Sequence, residues 1–449
     1  GKQGIIDYSL SLSRWDTSSF SAVNYRRGAT ERDSYRNWQG SGRIGVDLPH
    51  DGRLDFSMRW MNSDVQLDNI SATSPNDVYG SKNRSQEYVF SGSYEQPLTG
   101  WWSQKLTLAR AQEASQFLSG TLQRSLITGA FSTPFNSNNE IRVLSNRLEW
   151  QHNFQITKLL LLSAGYQFRE QQGENDTGLT NRILSSNAGF AQAQFNLWDR
   201  LFATAGIRHD SYNVFGDATT YRLTGGYLHK ETDTKIRGSY STGFRAPTMN
   251  ELYFPNFGNS QLGTEKSQSM DVGIDQYFFS KQLKFTGGFF WNRYRNLITT
   301  TFDPTFCAPF STFGFCPQQI GEASTKGWEA GLSYTYSSDR PFLKGLVVQA
   351  NYTNTMTRDL VTQTRLPRWA TDQWSASVSY QPIDPLWITL IGRYVGSRYN
   401  TTGDRQSLPA FDVWSLAVTY DVTKQLQAYL GAENLFNEKY EEVSSAGTP

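Results

Sequence analysis

The sequence predicts an all-β protein, a transmembrane, antiparallel, up-and-down β-barrel, on three observations. Apolar and polar residues alternate strictly along almost the whole chain. The alternating runs are long, and short turns take turns with long polar connections. Composition sets the limits around that reading. In 449 residues, 42 Lys and Arg stand against 41 Asp and Glu, a net charge of +1. This balance excludes a basic nucleic-acid binder and an acidic tail protein. Charged residues make up 18% and aromatic residues 14%, against about a quarter charged in ordinary soluble domains. The longest aliphatic run, Leu159 to Leu162, has four residues, far short of the roughly 20 a spanning helix needs. Length alone would fit about three domains, but no linker or composition shift divides the chain, which reads as one unit.

The alternation can be followed from the start. Ile6, Tyr8, Leu10 and Leu12 share one face, and Asp7, Ser9, Ser11 and Ser13 share the other. Leu54, Phe56, Met58 and Trp60 repeat this against Asp55, Ser57 and Arg59, as do Leu283, Phe285, Phe289 and Trp291 against Lys284, Thr286 and Asn292. Later come Leu346, Val348, Ala350 and Tyr352, then Leu386, Ile388, Leu390 and Tyr394, then Trp414, Leu416, Val418 and Tyr420. A period of two is a strand with one apolar and one polar face. No segment of useful length shows a clear helical period. Strands of soluble sandwiches average about 5–6 residues, whereas many runs here last about 12–18. Long strands whose apolar face ends in Trp, Tyr or Phe suit a barrel with lipid outside, a wet lumen inside and aromatics at the interfaces. Closure leaves no unpaired edge in the bilayer.

The connections add a second signal. Tight turns are expected near Pro49–Gly52, Pro97–Gly100, Thr157–Lys158, Trp198–Asp199, Thr232–Thr234, Ser280–Lys281, Ser338–Pro341, Ile383–Pro385 and Thr423–Lys424. Longer polar connections fall at about 15–34, 67–86, 117–139, 174–182, 247–267, 300–320, 360–370 and 401–411. Short turns mark the periplasmic end of such a barrel and long loops the outer end. Nine hairpins plus one opening strand give about 19 strands, an odd number where bacterial barrels have even ones. The chain opens at Gly1 without a leader and stops on the turn-like Ala446-Gly447-Thr448-Pro449, so it is expected to be part of a longer polypeptide.

Two blocks carry a family resemblance. Gly206-Ile207-Arg208-His209-Asp210, followed by Phe215-Gly216, leads into Lys235-Ile-Arg-Gly-Ser-Tyr-Ser-Thr-Gly-Phe-Arg-Ala-Pro247. Glu251-Leu252-Tyr253 and Gly258-Asn259-Ser260-Gln261-Leu262 come next. Near the end stands Gly431-Ala-Glu-Asn-Leu-Phe-Asn-Glu-Lys-Tyr440. These resemble the mid-barrel and penultimate-strand signatures of the TonB-dependent outer-membrane receptors. The chain departs from the family at Gly263-Thr264-Glu265-Lys266-Ser267, where Lys-Pro-Glu is usual, and lacks the family's closing Gly-Arg-aromatic strand. The resemblance implies a 22-stranded barrel in the bacterial outer membrane, with residues 1–449 as barrel and the plug, first strands and last strand elsewhere. It implies no enzyme and no cofactor, but ligand capture outside and TonB-driven uptake. The expected partners are the TonB complex through the plug segment, outer-membrane lipid and lipopolysaccharide, and a cobalamin or metal-chelate ligand, for a monomer without nucleic acid. The layout is most similar to the vitamin B12 receptor branch; a siderophore receptor and a passive channel are the alternatives.

Candidate sites follow. Cys307 and Cys316, the only cysteines, lie in an expected outer loop, where an oxidising surface favours a disulfide; free thiols or metal ligation are the other readings. Phe306, Phe310, Phe313 and Phe315, with Phe302, either grip an apolar or macrocyclic ligand or pack among themselves. Leu118, Leu122, Leu126, Ile127 and Phe131 invite the same two readings. Asp64, Asp68, Asp77 and Glu87 surround a polar outer loop, but without a dense Asp/Asn/Gly run they read as solvated carboxylates rather than a calcium site; no metal site is expected. Arg237 should face the lumen and pair with barrel or plug carboxylates, and Arg208 with Asp210 invites the same structural reading. Arg245 shares the mid-barrel signature. His209-Asp210-Ser211 imitates a catalytic triad when written out, yet neighbours on a strand face opposite ways.

Overall fold

The computed structural model describes the chain except residues 22, 24–28, 30, 69–75, 134–137, 177, 179–181, 337–342, 344, 401–406 and 444–449. The expected Ser338–Pro341 turn, the Ala446–Pro449 end and parts of several expected loops lie outside the described residues. The described strands form one antiparallel sheet of 20. One is the two-residue Lys2–Gln3, which pairs with Ile6 and Asp7 across a turn at Gly4 (φ 59°). The rest are β1 (Ile6–Phe20), β2 (Asp33–Asp47), β3 (Arg53–Gln66), β4 (Lys82–Thr99), β5 (Trp102–Leu118), β6 (Asn139–Thr157) and β7 (Leu160–Asn175). They continue as β8 (Arg182–Leu197), β9 (Leu201–Tyr212), β10 (Gly216–His229), β11 (Thr234–Arg245), β12 (Glu265–Phe278), β13 (Leu283–Phe302) and β14 (Phe315–Thr335). Last come β15 (Val347–Asp359), β16 (Asp372–Ile383), β17 (Leu386–Val395), β18 (Phe411–Asp421) and β19 (Gln427–Ala432). Each pairs with its sequence neighbours, the order of an up-and-down barrel wall.

Turn chemistry explains the hairpins. At His50–Asp51 and Trp198–Asp199 both turn residues have φ between 54° and 59°, the left-handed pair whose twist matches flanking strands. The long connections gather at the opposite end. Asn76–Tyr79, Leu122–Ser125 and Phe131–Ser132 form a small separate sheet there. Two short helices also sit there, α1 (Met249–Tyr253) and α2 (Pro304–Cys307); neither is long enough to leave a periodic signal.

Residues directly opposite across a ladder share a face, so register assigns the two sides. Leu10, Gly42, Met58 and Phe90 form one outward row, and Leu10 is 87% exposed. Aromatic belts border this face. Near the tight turns Trp102 stacks on Phe154 at 5.9 Å. Near the long loops Trp374 lies 6.0 Å from Tyr394 and 5.8 Å from Trp414, and Trp328 lies 4.7 Å from Tyr352. This is the arrangement of a bilayer-spanning wall.

The strands overrun the expected loops. β1 reaches Phe20 rather than stopping near 15, and β13 and β14 shorten the 300–320 connection to residues 303–314. Above the aromatic belt the outward face is polar as well, with Arg14, Asp16 and Arg36 on it. Alternation therefore vanishes while the hydrogen-bond ladder continues.

Candidate functional site

The inward face presents charge. Near the tight turns Arg53 bridges Asp7 (2.6 Å), Asp47 (2.5 Å) and Asp55 (2.9 Å), and Arg43 joins Asp7 (2.8 Å) and Asp55. Farther round, Arg208 grips Asp210 through Nε and Nη2, each at 2.8 Å. Asp210 is only 3% exposed. A carboxylate this buried keeps its charge only with such a partner. Arg237 reaches Asp275 at 3.7 Å. Arg237 also lines a recess of about 850 Å³ together with Arg222, Lys235, Ser239 and Asp271.

Two further sets face inward without a direct ion pair, with Glu149 two residues from Arg147 and Arg59 diagonal to Glu87 on the same face. Arg147 lies directly opposite Arg169, and Glu87 directly opposite Glu113. Like charges in direct register repel. Among the described residues none of these four side chains takes part in an ion pair. Nothing in the sequence alone reveals these pairs, because register across strands is what brings them together.

At the outer mouth, Arg245 is the centre of a clasp. Its Nη1 and Nη2 lie 3.0 Å from the Glu251 carboxylate, and Nε and Nη2 lie 2.6 and 2.7 Å from Glu265. Thr248 caps α1 by accepting from Glu251 N at 3.2 Å, while Glu251 accepts from Thr248 N at 2.7 Å. The Thr-x-x-Glu spacing was the sequence signal that could have found this capping box. Burial works against the Glu251 charge, but Arg245 and the Thr248 backbone outweigh it and hold the carboxyl below its ordinary range. Gln319 then ties the 246–264 connection to β14, accepting from Gly263 N at 2.7 Å and donating to Gly263 O at 2.8 Å. Asn259 Nδ2 donates to Pro317 O at 3.0 Å.

Beside this connection Cys307 and Cys316 are joined, Cα atoms 5.5 Å apart, and both are fully buried. Asp303 caps α2 through Thr305 N and Phe306 N. Phe315 and Cys316 begin β14 rather than lying in a loop, and the Phe302 and Phe315 rings meet at 4.8 Å. Phe306 and Phe310 lie 6.0 Å apart, and Phe313 is 73% exposed. Four of the five aromatics thus pack in two pairs, and Phe313 stands exposed. Of the other apolar loop set, Leu122, Ile127 and Phe131 are exposed.

The carboxylates Asp64, Asp68, Asp77 and Glu87 do not converge as one set; only Asp68 and Asp77 come together, beside Glu31. Asp64 faces outward, with Arg84 at 3.2 Å and Lys82 at 3.9 Å, and Glu87 faces the lumen. Asp68 accepts from Ser21 Oγ and Val78 N, each at 2.8 Å. It falls instead near Glu31, whose carboxyl is pushed up to about 7 by burial and by the charges of Asp68, Asp33 and Asp77. Among the described residues no three His, Cys, Asp or Glu side chains are placed to hold a metal ion. His209 points outward to Thr219 Oγ1 at 2.8 Å, away from Asp210, so the written triad does not assemble.

Residues 14–435 match the family model for the β-barrel of TonB dependent receptor-like proteins. The chain belongs to the TonB-dependent receptor family. It is 28% identical over 310 residues to the vitamin B12 transporter BtuB of Vibrio vulnificus, covering 67% of this chain and 47% of that protein. It is 23% identical over 307 residues to BtuB of Photobacterium profundum, covering 68% and 48%. The chain thus spans about half the length of these relatives. Among solved structures, the siderophore receptor PirA of Acinetobacter baumannii superposes with a TM-score of 0.77 at 14% identity, covering 97% of this chain and 72% of that one. A point mutant of the ferric enterobactin receptor PfeA of Pseudomonas aeruginosa gives 0.74 at 16% identity, covering 97% and 70%. The family is one of receptors and transporters rather than enzymes.

Proposed function

We propose that this chain is the barrel of an outer-membrane receptor that captures a scarce nutrient chelate at its outer mouth, cobalamin first, and imports it with TonB-supplied energy. The kinship with the two BtuB proteins carries the cargo assignment. In this reading the mouth between the Arg245 clasp and the Cys307–Cys316 loop receives the ligand, with Phe306, Phe310, Phe313 and Phe315 as its apolar contacts. The disulfide restrains that loop. A plug domain fills the lumen and meets Arg208, Asp210 and Arg237. The Arg147/Arg169 and Glu87/Glu113 pairs, which have no direct ion-pair partner, support such an occupant, since like charges in register repel.

A siderophore receptor is the second reading, favoured by the structural likeness to PirA and PfeA. Titration of the full-length protein with cyanocobalamin and then ferric siderophores, followed by intrinsic Trp fluorescence, separates the two. Tight cobalamin binding that weakens on Phe306→Ala and Phe313→Ala substitution is the expected result. Siderophore binding alone would overturn the cargo assignment, and solute passage without a plug would indicate a passive channel.

A further inference from the structure

We propose that Arg393 and Arg398 form an anion-binding site on the inner wall of the outer mouth, which takes a carboxylate or phosphate group of the captured solute in place of Glu442. Arg393 lies opposite Ser375 on β16, and Val395, two residues on, lies opposite Phe411 on β18. Arg393 and Phe411 therefore share the face turned away from the Trp374–Tyr394–Trp414 belt. Beyond β17 the chain forms a short pair of its own, Arg398–Tyr399 against Ser407–Leu408. Arg398 turns back over the Phe411 ring, its Cζ 5.3 Å from the ring centre, and Arg393 lies over the same ring at 5.4 Å. Phe411 is buried and stacks on Tyr440 at 4.2 Å. Tyr440 belongs to a strap, residues 433–443, that follows β19. Asn434 and Asn437 turn the strap with φ of 52° and 54°, and Leu435 N fastens it to Trp414 O at 2.8 Å. Asn434 holds the turn, donating to Glu438 O at 2.9 Å and accepting from Glu438 N at 2.7 Å.

Two guanidiniums meet here, and Glu442 is the carboxylate in ion-pair contact with them among the described residues, 3.0 Å from Arg393 Nη2. Arg398 is 6% exposed. Its Nη2 donates to the backbone oxygen of Glu441 at 2.7 Å, and its Nη1 has no hydrogen-bond partner. Burial pushes this guanidinium below its ordinary range; Glu442 opposes that, and Arg393 adds to it. The carboxylates of the neighbouring strands face the other way. Asp412 accepts from Trp414 Nε1 at 2.8 Å, and Asp372 from Tyr352 and from Asn354 Nδ2. A buried charged donor left unmade is costly, so the cluster is short of one oxyanion. Glu442 is a weak holder of the place. Its side chain is 59% exposed and that of Arg393 47%, and exposed pairs of this kind contribute little. A carboxylate or phosphate that reaches both guanidiniums makes stronger, charge-assisted bonds, bidentate where the fork allows. The aromatic pair beneath holds both cations in place through cation–π contact. The strap thus carries an internal stand-in, and the site opens when Glu442 yields to the incoming anion.

The assignment rests on the receptor reading above, and the test separates the two. Citrate is titrated calorimetrically, at constant ionic strength, into the full-length receptor and its variants, each checked for barrel folding by heat-modified gel mobility. Glu442→Gln removes the stand-in and is expected to bind citrate about two- to fivefold more tightly than the wild type. Arg393→Gln is expected to bind it at least about tenfold more weakly, and Arg398→Gln likewise. The opposite signs keep the test decisive should Arg398→Gln fail to fold. A second arm compares cyanocobalamin with its monocarboxylic acid, in which one side-chain amide is hydrolysed. The wild type is expected to prefer the acid, and Arg393→Gln to lose that preference. For a siderophore receptor the corresponding pair is a ferric tricatecholate and an uncharged ferric trihydroxamate. Equal citrate affinity in the wild type, Glu442→Gln and Arg393→Gln would overturn the site. Citrate binding that follows the variants, with no preference for the anionic cargo, would overturn its assignment to the captured solute. Binding of neither corrinoid nor siderophore by the wild type would overturn the receptor reading, while the citrate affinities would still decide the site.

Discussion

The face assignment can be tested on three neighbouring residues of β17. Leu390 is opposite Val378 and Leu416. It lies four residues from Tyr394, which belongs to the outer aromatic belt, and four from Leu386, which is opposite Tyr420. At about 3.3 Å per residue, each separation is about 13 Å along the strand. A tilt of about 40° turns the full stretch into a height of about 20 Å, close to the apolar band of such barrels, with Leu390 at its middle. Leu390→Arg should therefore destabilise the barrel by about 2–4 kcal/mol, a factor of roughly 30 to 1,000 in the folding equilibrium. Ile388→Arg, opposite Tyr380 and nearer the inner belt, should cost less. Thr389 faces the lumen and shares a 3.0 Å hydrogen bond with Ser379. Thr389→Arg should cost no more than about 1 kcal/mol, the worth of that bond. Urea-dependent folding into phosphatidylcholine vesicles, read by Trp fluorescence and gel mobility, gives the three values. A loss at Thr389 equal to that at Leu390, or a larger loss at Ile388 than at Leu390, would refute the reasoning.

Three other expectations follow from the lumen and the mouth. Arg169→Glu places a carboxylate opposite Arg147 and should stabilise the isolated barrel by about 0.2–1 kcal/mol, while loosening any lumen occupant; urea midpoints with and without the plug would show both changes. Cys307→Ser should leave barrel folding unchanged but speed proteolytic cleavage between residues 303 and 314, because the cross-link closes a short local loop; equal cleavage rates would count against a restraining role. Glu31 carries a folded-state pKa of about 7, above the ordinary carboxylate value of 4.5. The folded loop therefore holds a proton that the unfolded chain releases, and loop stability should fall as pH rises from about 4.5 to 7 and level off above. Amide exchange near Asp33 and Asp77 should follow that slope in the wild type, and Glu31→Gln should flatten it.

How much was legible in the sequence depended on which physical rule acted locally. The period of two placed Leu10, Phe56 and Ile388 outward and Arg237 inward, because strand geometry alone decides the face. Turn chemistry located Trp198–Asp199, whose two residues both take the left-handed conformation of a tight hairpin. Strand ends above the aromatic belt were missed at Arg14 and Asp16, where both faces meet polar surroundings and alternation carries no information. The mouth was the least legible part. Arg245 was singled out, but its partners Glu251 and Glu265 are separated from it by a connection whose path depends on Gln319 and Asn259. Asp64 and Glu87 looked like loop neighbours of Asp68, yet β3 carries Asp64 outward and β4 carries Glu87 inward.

The Gln319–Gly263 and Asn259–Pro317 bonds fasten the connection after β11 to the strand after the cystine loop. That part of the rim has therefore given up its conformational freedom before any cargo arrives. On the receptor reading proposed above, a rigid, bulky ligand docking there would lose little affinity to loop ordering, and selectivity would follow from the side chains that project from the rim. Exchanging Phe306 or Phe313 should retune the cargo without rebuilding the frame, and a loosened Gln319 should weaken every cargo alike.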